Sequence, residues 1–551
     1  MCHFPIMSDL PYHFPPRLNS FTIEENSERR YEIMHWAYEA ATKLMEKHPE
    51  QVITCASGVS PSGYVHVGNF REIATTYFVT KALKDLGGDA RFILSWDDYD
   101  RLRKIPANVA GVSEHEIGLP YTKVPGPEKA EAGVSYGAYF EGLFIEDLAK
   151  LGIKPEYIYE THQYESGAYD QQLKKALSHR HEIYDILARF RTEAADEKER
   201  ENYYPISLYC DTCGHDSTSI TDYDETTGTL SYTCKFGHQG QQQIGAGQKV
   251  KLHWKIDWPM RWQYEQVAFE PGGKDHSSKN GSFDVASAVV REIFGGQPPL
   301  YEPYDFVNIK GQTKKMSSSA GNIITLSELL QIYTPELVFY LYAKYLPKAQ
   351  FDLGLDEDVL RNYAEFERKV SGIKEKTETD ETILQMVKLT GADLQECYPA
   401  FGHVVSILSL TGNDQELTAK LLRKEQEYSD EALQHILPRA AYWIENDAQS
   451  RLLKVRETPD ATVYGQLAPA VKKQVARLRK LLLEQPQLKD QELMQAVYDL
   501  TPAVDKAEKR QEQRELFKGI YQLTIGQDSG PRIPLLVEVV GREQMAALLD
   551  F

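Results

Sequence analysis

Apolar positions recur at helical spacing from about Arg29 to Lys47, which predicts an amphipathic helix closing an N-terminal extension, residues 1–50. The period then changes. Gln51-Val-Ile-Thr-Cys-Ala-Ser-Gly58 is a short apolar run stopped by glycine and predicts a buried strand. Ser57 to Gly63 is a Gly/Ser/Pro loop, and a helical pattern follows from Val67 to Leu86. Gly87-Gly88 ends that helix, and Ala90 to Trp96 reads as a second strand. Strand, helix, strand is a βαβ unit, so the prediction is α/β: a doubly wound parallel sheet flanked by helices. Strand-like and helical segments alternate again from Lys251 to Tyr342, and beyond Leu355 the pattern is helical. Only Ile533 to Val540 is ambiguous, reading as a strand or as a helix begun by Pro534. The expected organisation is a sheet domain in two halves, 51–165 and 250–355, an insertion at 166–249, and an all-α domain at 356–551.

Length and composition narrow the class. A chain of 551 residues exceeds one core, so two to four domains are expected. With 42% hydrophobic and 26% charged residues, the chain reads as a globular enzyme rather than a disordered one. No apolar run approaches the roughly 20 residues needed to span a bilayer, and Met1 to Ser20 lacks the basic and apolar regions of a signal peptide. No membrane partner is expected. Three of six cysteines, Cys210, Cys213 and Cys234, cluster, which is metal usage in a reducing compartment and predicts a cytoplasmic protein. The net charge of −19 does not exclude RNA, because phosphates are held by local basic patches rather than by bulk charge.

Two segments carry phosphate chemistry. Pro61-Ser-Gly63-Tyr-Val-His66-Val-Gly68-Asn69 follows a strand and opens a helix. Its glycines let backbone approach a ligand, and a helix N-terminus offers unpaired N–H groups to an anion. The plain alternative is a Gly/Pro turn with a surface histidine. Lys310-Gly-Gln-Thr-Lys314-Lys315-Met316-Ser317-Ser318-Ser319 is a loop of lysines and hydroxyls, suited to neutralising charge that grows on phosphates in a transition state. Alone it would be a solvated loop; together, and in this order, the two segments point to a nucleotide site.

His66-Val-Gly68-Asn69 resembles the HIGH motif, and Lys315-Met316-Ser317-Ser318-Ser319 the KMSKS loop, of class I aminoacyl-tRNA synthetases. Asn69 stands where many members have histidine, and Ser318 replaces the second lysine of the loop. The resemblance implies ATP over the carboxyl ends of a doubly wound sheet, consistent with binding at a topological switch point. It implies ATP contacts from Pro61, Gly63, His66, Gly68, Asn69, Asp275 and Met316 to Ser319, with Mg²⁺ as the accompanying ion. His66, Asn69 and Lys315 are the expected catalytic residues, Lys315 facing the leaving pyrophosphate and Asp275 the ribose hydroxyls.

Longer segments resemble the lysine-specific branch of that class rather than its glutamate relatives. They are Ala56 to Gly63, Ser95 to Lys104, Trp254 to Trp262, Gly273 to His276 and Pro303 to Val307. A lysine substrate needs a carboxylate for its ammonium and a slot for its methylene stem. Asp97 or Asp98 at a strand end, with Trp254 or Tyr304, offers both, and Gly58, Ser60 and His276 complete the expected lysine-binding set. The structural alternative places the tryptophans in the core, with Asp97, Asp98 and Asp100 capping a helix or binding Arg101 and Arg103. The expected reaction is ATP-dependent activation of L-lysine and transfer to tRNA(Lys). A glutamyl- or glutaminyl-type enzyme is the rival, although no arginine lies within Ser57 to Gly63 to meet an acidic substrate.

Cys210-x-x-Cys213 and, after twenty intervening residues, Cys234-x-x-x-His238 have the spacing of a tetrahedral structural Zn²⁺ site, with His215 as the alternative fourth ligand. The resemblance implies a zinc ribbon near the tRNA acceptor end, and an anticodon-binding role for the helical half. In Val471 to Leu482 the basic residues Lys472, Lys473, Arg477, Arg479 and Lys480 lie largely opposite the apolar ones, either a phosphate-facing stripe or a solvated face. A monomer is the expected state.

Overall fold

The structure is a computed structural model that describes residues 34–191, 196–245, 247–312, 316, 321–372, 376–394, 398–502 and 505–551. Among them, two compact units separate: residues 34–354 with 368–394, and residues 355–367 with the chain beyond 397.

The first unit is built on a five-stranded, all-parallel sheet. Its strands are β1 (Ile53–Val59), β2 (Ala90–Trp96), β3 (Glu156–Tyr159), β4 (Val267–Gly273) and β5 (Leu300–Tyr304). Their spatial order is β5-β4-β1-β2-β3. The winding therefore reverses beside β1, whose neighbours are β2 and β4, and a crevice opens at the carboxyl ends of those strands. Such strands are covered on both faces and read as continuous apolar runs. β1 shows this, since all its residues are buried except the half-buried Gly58.

Alternation along β1 assigns the two covering layers. Ser57 Oγ lies 2.7 Å from Thr76 Oγ1 on helix α1 (Val67–Asp85), so α1 covers that face. Ala56, pointing the other way, packs with Trp258 and Trp262 of helix α2 (Trp254–Tyr264). α1 is buried nearly all round, as expected of a helix enclosed by other elements rather than a surface one. Helix Trp36–Lys47, within the predicted Arg29–Lys47 segment, packs on its outer side.

Between β3 and β4 the chain leaves the sheet for helices and two small antiparallel sheets. Ile206–Leu208 pairs with Val250–Leu252, and Thr218–Asp224, Thr229–Cys234 and Gln239–Gln243 form a three-stranded meander. In the second unit no strand occurs among the described residues. Its core includes Tyr363 stacked on Phe401 at 3.8 Å, with Trp443 Nε1 donating to Leu355 O at 2.7 Å. Ile533–Val540 is a helix with proline in its first turn, where the missing N–H costs nothing, so the helical reading of that segment holds. Helix Pro469–Glu484 buries Val471, Val475, Leu478 and Leu482 and leaves Lys473, Arg477 and Lys480 exposed.

Candidate active site

A cavity of about 960 Å³ opens at the switch point. The carboxyl ends of four strands reach it, through Gly58 and Val59 of β1, Asp97 after β2, Glu270 to Gly273 of β4 and Tyr304 of β5.

The N-terminus of α1 forms one wall through His66, Gly68 and Asn69. His66 is the N-cap: its Nδ1 accepts from Gly68 N at 3.1 Å, and Asn69 Oδ1 accepts from His66 N at 3.4 Å. This reciprocal capping holds both side chains at the helix mouth, where the remaining first-turn N–H groups and the positive dipole end favour an anion. Gly68 is required by crowding, because a Cβ there would sit 2.8 Å from the His66 ring. Gly63, at φ 153°, turns the chain into this segment in a conformation that side chains disfavour. Pro61 and Gly63 shape the turn and do not line the cavity.

The second motif meets the first. Val67 N donates to Ile324 O at 2.9 Å, and His66 and Thr325 form an antiparallel bridge. Met316 is buried, lines the cavity and packs by its methyl group against Gly68. Lys315, Ser317, Ser318 and Ser319 lie outside the described residues.

The floor is acidic. Glu72, one turn into α1, accepts from Gly58 N at 2.9 Å and from the Tyr304 hydroxyl at 2.8 Å. Burial raises its carboxyl to about 8, against the pull of those two donors. Glu270 accepts from Trp258 Nε1 at 3.1 Å and from Trp262 Nε1, and burial raises it as well. Trp254 and Trp258 stack at 5.2 Å, with His276 5.8 Å from Trp258, making an aromatic wall beside these carboxyls. Neither Glu72 nor Glu270 was expected from the sequence. Glu72 carried a signal, lying three residues after Asn69 and so on the same helical face.

Asp97, the expected partner of a substrate ammonium, is engaged with the protein itself. Arg261 Nη1 lies 3.0 Å from Asp97 and 3.2 Å from Glu160, and Nη2 lies 3.2 Å from Asp257. Asp98 accepts from Thr161 N at 2.8 Å, which turns it from the cavity, and Asp100 is paired with the buried Lys251. The aspartates thus pair with Arg261 and Lys251 rather than wholly with their sequence neighbours, although Arg103 does act electrostatically on Asp100. With several carboxylates around one guanidinium, burial raises the Glu160 carboxyl against the opposing pull of the Arg261 charge. Gly58, Ser60, Trp254, Asp275, His276 and Tyr304 all line the cavity. The exposed cations Arg103, Lys104, Arg191 and Lys255 line it too, at the solvent side.

In the insertion, ligand atoms of Cys210, Cys213, Cys234 and His238 all lie within 4.8 Å of one another. Cys213 and Cys234 sulfurs are 3.7 Å apart and Cys210 Sγ is 3.6 Å from His238 Nδ1. A tetrahedral zinc–thiolate site with bonds of about 2.3 Å has edges of roughly 3.8 Å, so the donor set fits. His215 points elsewhere, its Nδ1 2.9 Å from Cys213 O and its Nε2 2.8 Å from His115 O.

A doubly wound parallel sheet, a His-capped helix at its switch point and Met316 packed on that helix are the architecture of a class I aminoacyl-tRNA synthetase. Residues 34–391 match the family described as tRNA synthetases class I (K), and the chain belongs to that family. It is similar to a lysine–tRNA ligase of Treponema pallidum, 35% identical over 94% of this chain and 98% of the relative. A lysine–tRNA ligase of Borreliella burgdorferi is 35% identical over 92% and 97%, and one of Pyrococcus furiosus 33% identical over 93% and 98%. No helix among the described residues is long and apolar enough to cross a membrane.

Proposed function

We infer that the protein activates L-lysine with ATP, releasing pyrophosphate, and transfers it to the 3′ end of tRNA(Lys), releasing AMP. The observation that carries this is the polarity of the cavity: an anion-binding helix mouth on one wall and two carboxyls, the half-buried Glu72 and the buried Glu270, on its floor. ATP is an anion and the lysine side chain a cation, so each substrate has one complementary end. The lysine ammonium meets Glu72, oriented by the Tyr304 hydroxyl, while its methylene stem lies along Trp254 and Trp258. This reassigns the ammonium from Asp97 to Glu72, because Asp97 already faces Arg261.

The lysine α-carboxylate attacks the α-phosphorus, the new O–P bond displacing pyrophosphate. The ribose hydroxyl of the tRNA terminus then attacks the acyl carbon and AMP leaves. No protein nucleophile is needed, so positioning and charge stabilisation supply the acceleration. His66, Asn69 and the first-turn amides of α1 hold phosphate oxygens, Asp275 the ribose hydroxyls, and Lys315 neutralises the departing pyrophosphate. Mg²⁺, entering with ATP, would supply further neutralisation of the phosphate charge. Cys210, Cys213, Cys234 and His238 would hold a structural zinc, all four positions being protein ligands with none left for chemistry. The helical unit binds the anticodon arm, the exposed Lys473, Arg477 and Lys480 facing phosphates.

The test is aminoacylation of total tRNA with each of the twenty amino acids. Lysine alone should be charged. Charging of glutamate in preference, or no charging of lysine, overturns the reading.

A further inference from the structure

The loop after β2 supplies Asp100 and Arg103 to the cavity, and its neighbours are bound layer by layer to the insertion. Leu102 N donates to Leu119 O at 2.8 Å, Gly118 N to Leu102 O at 2.9 Å, and Tyr121 N to Asp100 O at 2.9 Å. The 118–121 segment is in turn held by the Cys/His knuckle. Asp216 N donates to Gly118 O at 2.9 Å, and the His215 ring lies 2.8 Å from His115 O. The knuckle closes on itself through Cys210 N to His215 O at 2.9 Å and Gly214 N to Cys210 O at 2.8 Å.

Side chains cross the same gap directly. Arg101 Nε lies 2.9 Å from Asp216 Oδ2. The buried Tyr209 hydroxyl, adjacent to Cys210, donates to Tyr99 O at 2.6 Å. Lys251, where the insertion returns to the sheet domain, pairs with Asp100. Of three consecutive residues of the loop, Tyr99 and Arg101 are therefore held by Tyr209 and Asp216 of the insertion, and Asp100 by Lys251 just beyond its end. A structural knuckle that served only its own meander would not need these anchors.

We propose that the Cys/His knuckle positions the cavity rim: Tyr209 and Asp216 are positioning residues that fix the loop carrying Asp100 and Arg103 for the tRNA terminus. The proposal rests on the aminoacylation reading and, for the rigidity of the knuckle, on zinc at the four ligands. Arg103, with Lys104 and Arg191, is on the exposed side of the cavity, where a phosphate-bearing strand must enter, whereas Glu72 and Glu270 on the floor are not in this chain of contacts. A loosened loop therefore weakens tRNA use more than lysine use.

The experiment uses the full-length enzyme charging tRNA with lysine. Arg101→Asp and Asp216→Arg are compared singly and together, with Tyr209→Phe as a variant that keeps the packing and removes one donor. Metal per chain, thermal unfolding and both KM values are measured on every sample. Each single variant is expected to raise KM for tRNA by about fivefold or more, with KM for lysine changed by less than about twofold and metal retained. The charge-reversed pair should recover to within about twofold of the parent, because it restores the ion pair in the opposite sense. Parent-like KM for tRNA in the single variants overturns the proposal, as does a double variant no better than the singles while still folded. A parent enzyme that contains no metal, with variants behaving as expected, sinks the zinc reading and leaves the positioning role standing. Failure of the parent to charge lysine sinks the functional reading instead.

Discussion

Glu72 makes a pH dependence that can be worked out in advance. Its carboxyl lies in the cavity floor with two donors, Gly58 N and the Tyr304 hydroxyl, yet burial outweighs them and lifts it to about 8. In the empty site below that value the carboxyl keeps its proton. A lysine ammonium binds the ionised form, so binding displaces one proton from Glu72. Apparent affinity then scales with the ionised fraction, roughly one in ten at pH 7 and one in a hundred at pH 6 for a group at about 8. KM for lysine should therefore fall about tenfold per pH unit up to roughly pH 8 and flatten above it. Removing the charge with Glu72→Gln leaves a buried ammonium unpaired, a loss of roughly 3 kcal/mol or about 100-fold in KM, and should flatten the profile. The assay is tRNA aminoacylation at varied lysine and saturating ATP, between about pH 6 and pH 9. A pH-independent KM in the parent, or a glutamine variant with the parent's KM, would refute the assignment of the ammonium to Glu72.

Two further predictions concern buried charge beneath and beside the cavity. Arg261→Met removes the guanidinium shared by Asp97, Glu160 and Asp257, and should destabilise the protein by about 3–5 kcal/mol in chemical unfolding; a loss below about 1 kcal/mol would show that the carboxyls neutralise one another by protonation. Glu141 is buried with its Oε1 unpartnered, and burial, then the Asp98 charge, raises it to about 8. Its folded value lies above the unfolded one, so the stabilisation it gives while neutral is present in acid and lost as pH rises through about 8. Glu141→Gln, neutral at every pH, should match the parent near pH 4, below the unfolded value, and exceed it by roughly 3 kcal/mol or more near pH 9, as read by unfolding at both values; no difference at pH 9 would mean water reaches the carboxylate.

The helix-mouth wall of the cavity was legible because its residues lie within one turn of one helix. His66, Gly68 and Asn69 cap, crowd and open the same terminus, and local spacing suffices to read them. The Cys210-x-x-Cys213 pair was readable for the same reason. The choice between His215 and His238 was not, because both spacings are acceptable. The turn in which Cys234 N donates to His238 O at 2.7 Å, with Gly237 at φ 85°, brings His238 to the cluster, while His215 is held by His115 O.

The acidic floor depended on the fold. Asp97 is an acid at a strand end, and nothing nearby in the chain reveals that Arg261 lies against it. Glu72 sits in an apolar helix, and only the fold brings the Gly58 amide and the Tyr304 hydroxyl to its carboxyl at the cavity floor. Parallel pairing of β1 with β4, and of β4 with β5, brings Glu72, Glu270 and Tyr304 to one crevice from three distant parts of the chain. By itself the sequence determined the elements, the capped turn at the mouth of α1 and the Cys-x-x-Cys knuckle, because each arises from residues within a few positions of one another. Which carboxylate is left to meet a substrate was decided by tertiary structure, because the partners that neutralise or expose a charge are set by long-range packing.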